Sequence, residues 1–531
     1  MSSVLIGLMC WSTVGNIAPV ETRKPCAVFF YGRYAPFERV FQREVVKELG
    51  VEPDRVLQTR LNQKSEFYDY DVPEGMLRRE GIAHYFKPGS AETDVLRFVT
   101  MPDVDSFEQF VSKRAAGESE VVVEGTGSRR SLHSPGNSIY FRFEQQAQIA
   151  VYGWAESLVY DSDITPFTKA LKTVGRGHSY FSIRPEAVEG NAKMALFRSL
   201  QAHTYVRLQS TDDESDTDSE LRWRFGEAWL QIIGLLVTEL EEVSWWYSYP
   251  SGSEPAEYGF KARFVPKGKV SRYLARTSGR QRFKLAQSID GAVVRASLNM
   301  HLGEVGATML KDLLAKQLPN QWAALVASLI SEDVELHAVL LSRPDEQTLR
   351  IASGQEPKWP DQILARTSTR ESTIGTFSTV RLRPNMKRQA NVDEVDIVER
   401  ASTRDRAWLR ASLDLKALGD SQSMAGAIKP IEQIVDGWKY DRTMSRMAPL
   451  FLHKRFKNAT ELPDGSFRSL SSRLTPEGDW TASVTVAPRG NVVIGNSSIG
   501  PELFKWLFAR NLMADIRIRK QLTEDRNRQS R

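Results

Sequence analysis

Apolar and polar residues alternate over several short stretches of this chain, and a two-residue period predicts strands with one buried face. Residues 294–302 place valine, alanine, leucine and methionine on one side, with Arg295, Ser297, Asn299 and His301 on the other. Residues 409–415 alternate in the same way, with leucine and alanine inward. Both stretches therefore predict half-buried strands.

The strand pattern is repeated along the chain. Ser182, Ser297 and Ser412 lie at the centre of three such stretches and are 115 residues apart. A helix-like stretch follows each of them, at residues 187–200, 307–318 and 423–435. Equal spacing and equal alternation predict one strand–helix unit that is used three times.

Hairpin-like pairs lie between these units. The alternating segments 243–249 and 257–265 flank a Pro-Ser-Gly-Ser turn, and 468–474 and 480–487 flank a Thr-Pro-Glu-Gly turn. The second strands of these two pairs end in similar sequences, Val-Pro-Lys-Gly at 265–268 and Val-Ala-Pro-Arg-Gly at 486–490. An earlier pair, 138–143 and 148–154, is similar.

These patterns predict an α+β fold, built from tandem modules of antiparallel β-sheet with helices packed on one face. We expect a leader at residues 1–25, an N-terminal α+β region at 26–175 and a C-terminal helix with a basic tail at 501–531. The three modules are expected at residues 176–288, 289–403 and 404–500. Residues 210–220 and 385–399 are polar and are expected to be loops.

Composition narrows the choice of function classes. The chain has 531 residues, 41% hydrophobic and 26% charged, which is typical of globular proteins and excludes collagen-like or wholly disordered chains. A net charge of +5 is nearly neutral at this length and predicts no nucleic-acid partner. Two cysteines exclude a disulfide scaffold and any multi-cysteine metal cluster.

The N-terminus predicts export. An apolar run from Val4 to Trp11 precedes small residues that would suit a cleavage site, although no basic residue precedes the run. A buried first strand is the alternative. No later stretch is long enough for a transmembrane segment. We therefore expect a soluble periplasmic or secreted protein, or a cytoplasmic one if the leader is not a signal.

Recognisable catalytic motifs are missing from the sequence. No two of the seven histidines lie within five residues, so no local zinc pair exists, and His301 is interpreted as solvated or satisfied. The glycine-containing segment 124–130 is interpreted as a hairpin loop, and the acidic run 212–220 as a solvated loop. Gly419–Ser421 is interpreted as a helix cap. The sequence thus predicts no catalytic residue, metal or cofactor.

Aromatic residues supply the one candidate surface. Trp245, Trp246, Tyr247 and Tyr249 follow one another on a predicted strand and place rings on both of its faces, with Trp246 opposite the other three. Such a strand is either sandwiched between layers or lines a binding groove. These four residues are the predicted ligand or partner surface.

The Ala-Ser-Leu strand with its helix, followed by a hairpin ending in Val-x-Pro-x-Gly, resembles uncharacterised exported repeat proteins of planctomycete-type bacteria. The segments that carry the resemblance are 294–302, 409–415, 264–268 and 486–490. The resemblance implies export and modular repetition, and it implies no activity.

Three functional hypotheses follow. The sequence favours a non-enzymatic exported protein whose tandem modules act as an interaction or scaffolding surface for another protein or an envelope component. The first alternative is a carrier of an apolar ligand between sheet and helices. The second is a hydrolase whose site is assembled from residues distant in sequence.

Overall fold

The computed structural model divides the chain into two units. The first unit contains Met1–Tyr205, Leu230–Tyr249 and Phe260–Arg263, and the second contains Val206–Trp229, Pro250–Gly259 and Phe264–Arg531. The structure describes residues 28–32, 80–86, 93–115, 122–134, 137–165, 167–168, 179–188, 190–208, parts of 223–239, 240–250, 253–277, 292–317, 320–343, 346–360, 367–372, 375–381, 407–418 and 478–507.

The first unit is built on an antiparallel sheet. Its strands are β1 (Val28–Gly32), β2 (Glu80–Phe86), β3 (Thr93–Thr100), β4 (Val122–Thr126), β5 (Arg129–Ser134), β6 (Asn137–Glu144), β7 (Ile149–Gly153), β8 (Ser179–Ile183) and β9 (Leu240–Ser248). The strand registers give the order β4-β5-β6-β7-β3-β2-β1-β8-β9. The helices are α1 (Val104–Ala115), α2 (Glu156–Asp161) and α3 (Gly190–Leu208), and a 3₁₀ turn spans Pro185–Ala187.

Both faces of the β3-β7-β6 part of this sheet are apolar. On one face Leu96 and Phe98 pack with Val159 of α2, and the Phe98 and Phe167 rings stack at 5.5 Å. On the other face Phe107 of α1 packs with Phe141, and the two rings lie 5.1 Å apart. Helices α1 and α2 thus lie on opposite faces of the sheet, because alternate residues of one strand point to opposite sides.

The second unit contains another antiparallel sheet. Its strands are β11 (Ala292–His301), β12 (Asp333–Arg343), β13 (Glu346–Ser353), β14 (Thr367–Ser372), β15 (Gly375–Arg381), β16 (Leu409–Asp414), β17 (Thr481–Arg489) and β18 (Val492–Ile499). The registers give the order β18-β17-β16-β11-β12-β13-β15-β14. Strand β10 (Ala256–Phe264) has residues in both units.

The helices of the second unit are α4 (Lys269–Thr277), α5 (Gly303–Gln317), α6 (Asn320–Leu329) and a helix at 501–507, and a 3₁₀ turn spans Leu415–Leu418. Residues of α5, α6, the helix at 501–507 and the 3₁₀ turn pack on one face of the sheet. Leu325 and Leu329 of α6 pack with Ile351 and Val380, and Leu503 packs in the cluster that contains Leu413. This side carries the apolar residues of the alternating strands.

The two sheets share a strand path. The order β6-β7-β3-β2-β1-β8-β9 in the first corresponds to β14-β15-β13-β12-β11-β16-β17 in the second. Ser182 of β8 lies opposite Ser244 of β9, and Ser412 of β16 lies opposite Ser483 of β17. These matching serine pairs allow the two sheets to be compared position by position.

The α+β prediction with antiparallel sheets is confirmed, and so are several local elements. Residues 138–143 and 148–154 form the β6–β7 hairpin, and residues 124–130 lie in the β4–β5 hairpin, where Gly125 and Gly127 have φ values of 96° and 66°. The helix-like stretches after the first two serines are α3 and α5. The module boundaries stay a prediction.

One predicted hairpin is wrong. The segment 480–487 was expected to pair with 468–474, whereas β17 pairs with β16 and with β18. Residues 486–490 are therefore the end of β17 and its turn, with Gly490 at a φ of 63°. The segments that connect a hairpin to the next helix are instead residues 265–268, between β10 and α4, and Gly500, between β18 and the helix at 501–507.

Other predictions fall outside the described residues: the leader at 1–25, the loops 210–220 and 385–399, the segments 419–421, 423–435 and 468–474, and the basic tail beyond residue 507. The amphipathic stretch that begins at Arg222 includes helical residues, and strand β9 starts at Leu240.

Candidate functional site

The predicted aromatic surface is distributed over both sides of β9. Trp245 stacks on Phe181 with ring centroids 4.0 Å apart, and Tyr247 meets Tyr249 edge to face at 5.7 Å. Trp246 lies opposite Tyr180 and packs against the cluster of the first unit that contains it. All four rings are half-buried. The strand therefore has apolar rings on both faces, as predicted, and Trp246 is separated from Trp245 and Tyr247.

Polar side chains are buried beside Trp246. The hydroxyl of Tyr180 hydrogen-bonds with Ser182 and Ser244. Burial raises the pKa of Tyr180 and the Glu242 carboxylate raises it further, against the opposing effect of these hydrogen bonds and of Arg184. Arg184 Nε lies 3.5 Å from Glu242 Oε1. Because these groups bond to one another beside an apolar cluster, we interpret them as structural.

The second unit has a different feature, a sheet face lined with polar residues. Antiparallel registers place Ser412, Arg295, Val339 and Arg350 in one row across β16, β11, β12 and β13. The next row contains Arg410, Ser297, His337 and Ala352, and the third row brings Asn299 opposite Glu335. We call this surface the polar face, and its residues are Arg295, Ser297, Asn299, His301, Asp333, Glu335, His337, Val339, Arg350, Ala352, Arg410, Ser412 and Ser483.

The centre of the polar face is buried. Ser297 is 4% exposed, Asn299 8% and His337 1%. His337 Nε2 lies 3.8 Å from Glu335 Oε1, with which it shares a side of β12. Polar groups at this depth are expected to have specific partners, because burying them without any costs free energy.

Exposure increases from this centre towards β17. Arg295 and Ser412 are half-buried, and Arg410 and Ser483 are exposed. The registers place Arg410 directly opposite Ser297. A continuous set of polar side chains therefore leads from solvent to the buried serine and histidine.

The other end of β11 carries a second histidine–carboxylate pair. His301 Nδ1 lies 2.7 Å from Asp333 Oδ1, and the Tyr273 hydroxyl of α4 donates a hydrogen bond to the His301 carbonyl oxygen. Burial raises the pKa of Tyr273. The interpretation of His301 as a satisfied side chain agrees with this pairing.

The chemistry available on the polar face is hydrogen bonding and charge. Its described residues offer guanidinium, amide and hydroxyl donors, with Glu335 as an acceptor. Among the parts of the chain that the structure describes, no group of three or more His, Cys, Asp or Glu side chains is arranged to hold a metal ion. Within the same residues, no helix has the length and apolarity needed to cross a membrane.

Neither a family model, nor a curated protein, nor a solved structure matches the chain. The resemblance to exported repeat proteins therefore stays a prediction. Functional inference rests on the two sheets themselves.

The sequence indicated the residues that β11 contributes to the polar face and did not indicate those that β12 contributes. The alternation of Arg295, Ser297 and Asn299 was visible, but it indicated only the side of the strand away from the core. The missing signal was a second alternation in β12, where Glu335 and His337 lie two residues apart. Only the pairing of β11 with β12 brings these residues together.

Proposed function

We propose that this chain is a binding protein built from tandem strand–helix–hairpin modules, and that the polar face of the second unit receives its ligand. The repeated strand path supports the modular part of the proposal as a repeat of two sheets. Ser182 of β8 and Ser412 of β16 occupy the same place in that path, whereas Ser297 lies on β11, which corresponds to β1. In the second unit the apolar side of the sheet packs against helices, so the polar face on the opposite side is available for ligand binding.

The observation that carries the proposal is the difference in lining at matched positions. Counted from the paired serines, Leu96 corresponds to Arg350 and Tyr180 to Arg410, so two members of an apolar cluster in one sheet are replaced by arginines in the other; Phe98 corresponds to Ala352. Fold stability alone does not call for buried serine, asparagine and histidine, because an apolar lining serves the same strand path. A ligand surface does call for them.

Thermal unfolding of the full chain with neutral, anionic and cationic polar compounds tests the proposal. At least one class is expected to raise the unfolding temperature, and Ser297→Val and Arg410→Glu are expected to reduce that rise. Arg272→Glu is the control, because Arg272 is an exposed residue of α4. The proposal is wrong if no class raises the unfolding temperature, or if both polar-face variants respond like the wild type.

A hydrolase is the second candidate, and one arrangement favours it. Ser297 lies opposite His337, which in turn lies near Glu335, so a hydroxyl, an imidazole and a carboxylate follow one another. Serine hydrolases use these three groups as nucleophile, base and orienting acid in one hydrogen-bonded chain; here they share a sheet face, and the 3.8 Å between His337 Nε2 and Glu335 Oε1 would have to shorten for catalysis. A fluorophosphonate probe is expected to label Ser297 of a hydrolase and to leave Ser297→Ala unlabelled. An unlabelled wild-type serine would exclude this activity type.

The apolar-carrier alternative is tied to the aromatic strand. Trp245, Tyr247 and Tyr249 would supply the apolar wall of such a site. Native mass spectrometry after mild purification tests it, because a carrier would retain lipid. A chain that never carries an apolar ligand would contradict this alternative.

A further inference from the structure

Two buried donors point to a ligand of a particular kind. Arg350 Nε and Trp408 Nε1 are buried, and no described residue accepts a hydrogen bond from either. Strand alternation places Trp408 on the same side of the sheet as Arg410, and the Trp408 carbonyl oxygen accepts a hydrogen bond from the Asn299 backbone N–H. Buried donors without acceptors are rare in folded proteins. Two of them on one sheet face indicate that an acceptor-rich molecule belongs there.

The arginines of the polar face are positioned to share such a molecule. Arg295 and Arg350 flank Val339 in one row, so their Cα atoms are roughly 10 Å apart at the usual strand spacing. Both are half-buried. Hydroxyl groups extend the row on either side, at Ser412 and Thr379.

Resting on the function proposed above, we propose that the polar face binds a small organic anion. Its carboxylate or phosphate group lies between the guanidinium groups of Arg295 and Arg350, each of which can hold such a group with two parallel hydrogen bonds. Trp408 and Asn299 lie two rows away, which is roughly 13 Å along the strands. An elongated anion with polar groups at its far end fits this distance.

Binding to the full chain tests the inference. The probes are glucose 6-phosphate and citrate, with uncharged glucose as the matched compound, and binding is measured by isothermal titration calorimetry. At least one anion is expected to bind, and its dissociation constant is expected to rise tenfold or more in Arg350→Gln and Arg295→Gln. Arg350→Lys keeps the charge but not the paired hydrogen bonds, so an intermediate loss is expected. Arg272→Gln is expected to bind like the wild type.

The outcomes separate this inference from the broader function. Glucose binding without anion binding would overturn the anion assignment and would leave the polar ligand surface in place. Anion binding that is unchanged in both Arg295→Gln and Arg350→Gln would also overturn the assignment. If none of the three probes binds, the anion assignment is overturned, and if the broader panel of polar compounds also fails, the proposed function is wrong as well. Circular dichroism of each variant confirms that a loss of binding is not a loss of fold.

Discussion

The two sheets of this chain follow one strand path and carry different side chains at matched positions of one face. In the first unit, the row that starts at Ser182 ends at Leu96, inside an apolar cluster with Val159 of α2. In the second unit, the matching row starts at Ser412 and ends at Arg350. The difference teaches that one strand order is compatible with different side chains on one face, since the ladder hydrogen bonds involve only main-chain groups. The same strand path thus carries an apolar cluster in one unit and charged and polar side chains in the other.

The largest effect on the free energy of unfolding is expected at Leu96, where the lining of the first sheet is apolar. This side chain is fully buried, so Leu96→Ala should lower the free energy of unfolding by about 2–5 kcal/mol through lost burial and the cavity left behind. Denaturant unfolding of the full chain, followed by tryptophan fluorescence, measures the loss. Val122→Ala on β4 is the control, because Val122 is exposed and should change stability by less than about 0.5 kcal/mol. Equal effects for the two variants would contradict the assignment of Leu96 to a packed core.

The matched serine pairs give the next largest effect. Ser182→Ala removes a buried hydrogen bond to the Tyr180 hydroxyl, so it should cost about 1–2 kcal/mol of unfolding free energy. Ser483→Ala should cost less than about 0.5 kcal/mol, because Ser483 is exposed. The same denaturant experiment compares them. Equal losses would show that the two serine pairs have the same surroundings, contrary to the structure.

Acid should weaken the first unit through His84. Burial lowers the pKa of His84, and the Arg97 guanidinium lowers it further, so the neutral imidazole is favoured in the folded state. Its contribution to stability is complete above the unfolded pKa of 6.5 and is lost as the pH falls below that value, at no more than about 1.4 kcal/mol per pH unit. Hydrogen exchange of β2 amides between pH 7.5 and 5 measures this after correction for the intrinsic exchange rate. His84→Gln should remove this part of the pH dependence, and an unchanged slope in that variant would assign it to another group.

The smallest effect on stability is expected at Arg350, the position of the second sheet that matches Leu96. Arg350→Leu installs the residue type of the matched position, Leu96, and removes a buried donor that has no described acceptor. Stability in the absence of ligand should therefore change by less than about 1 kcal/mol or should increase. Thermal unfolding of the purified variant checks this. A large loss of stability would mean that Arg350 supports the fold, and the anion inference would lose its main observation.

The local pattern was sufficient to predict some elements and not others. The β6–β7 hairpin was predictable, because both strands and their turn are adjacent in sequence. Residues 480–487 alternate just as clearly, yet their partners were predicted wrongly. The reason is that alternation defines the buried side of a strand and not its neighbour, and β17 pairs with the distant β16. Likewise, His337 was an isolated histidine in the sequence and acquires neighbours only from β11 and β12.

The sequence by itself determined the α+β class and the alternating strands, because these depend on side-chain periodicity and short turns, and it singled out Ser182 and Ser412, which lie on corresponding strands. Only the tertiary structure decided which strands are neighbours, and hence that Arg295, Ser297, His337 and Arg350 share one face. The physical reason is that antiparallel pairing over long separations is selected by the fit of whole apolar faces. No single segment contains that information.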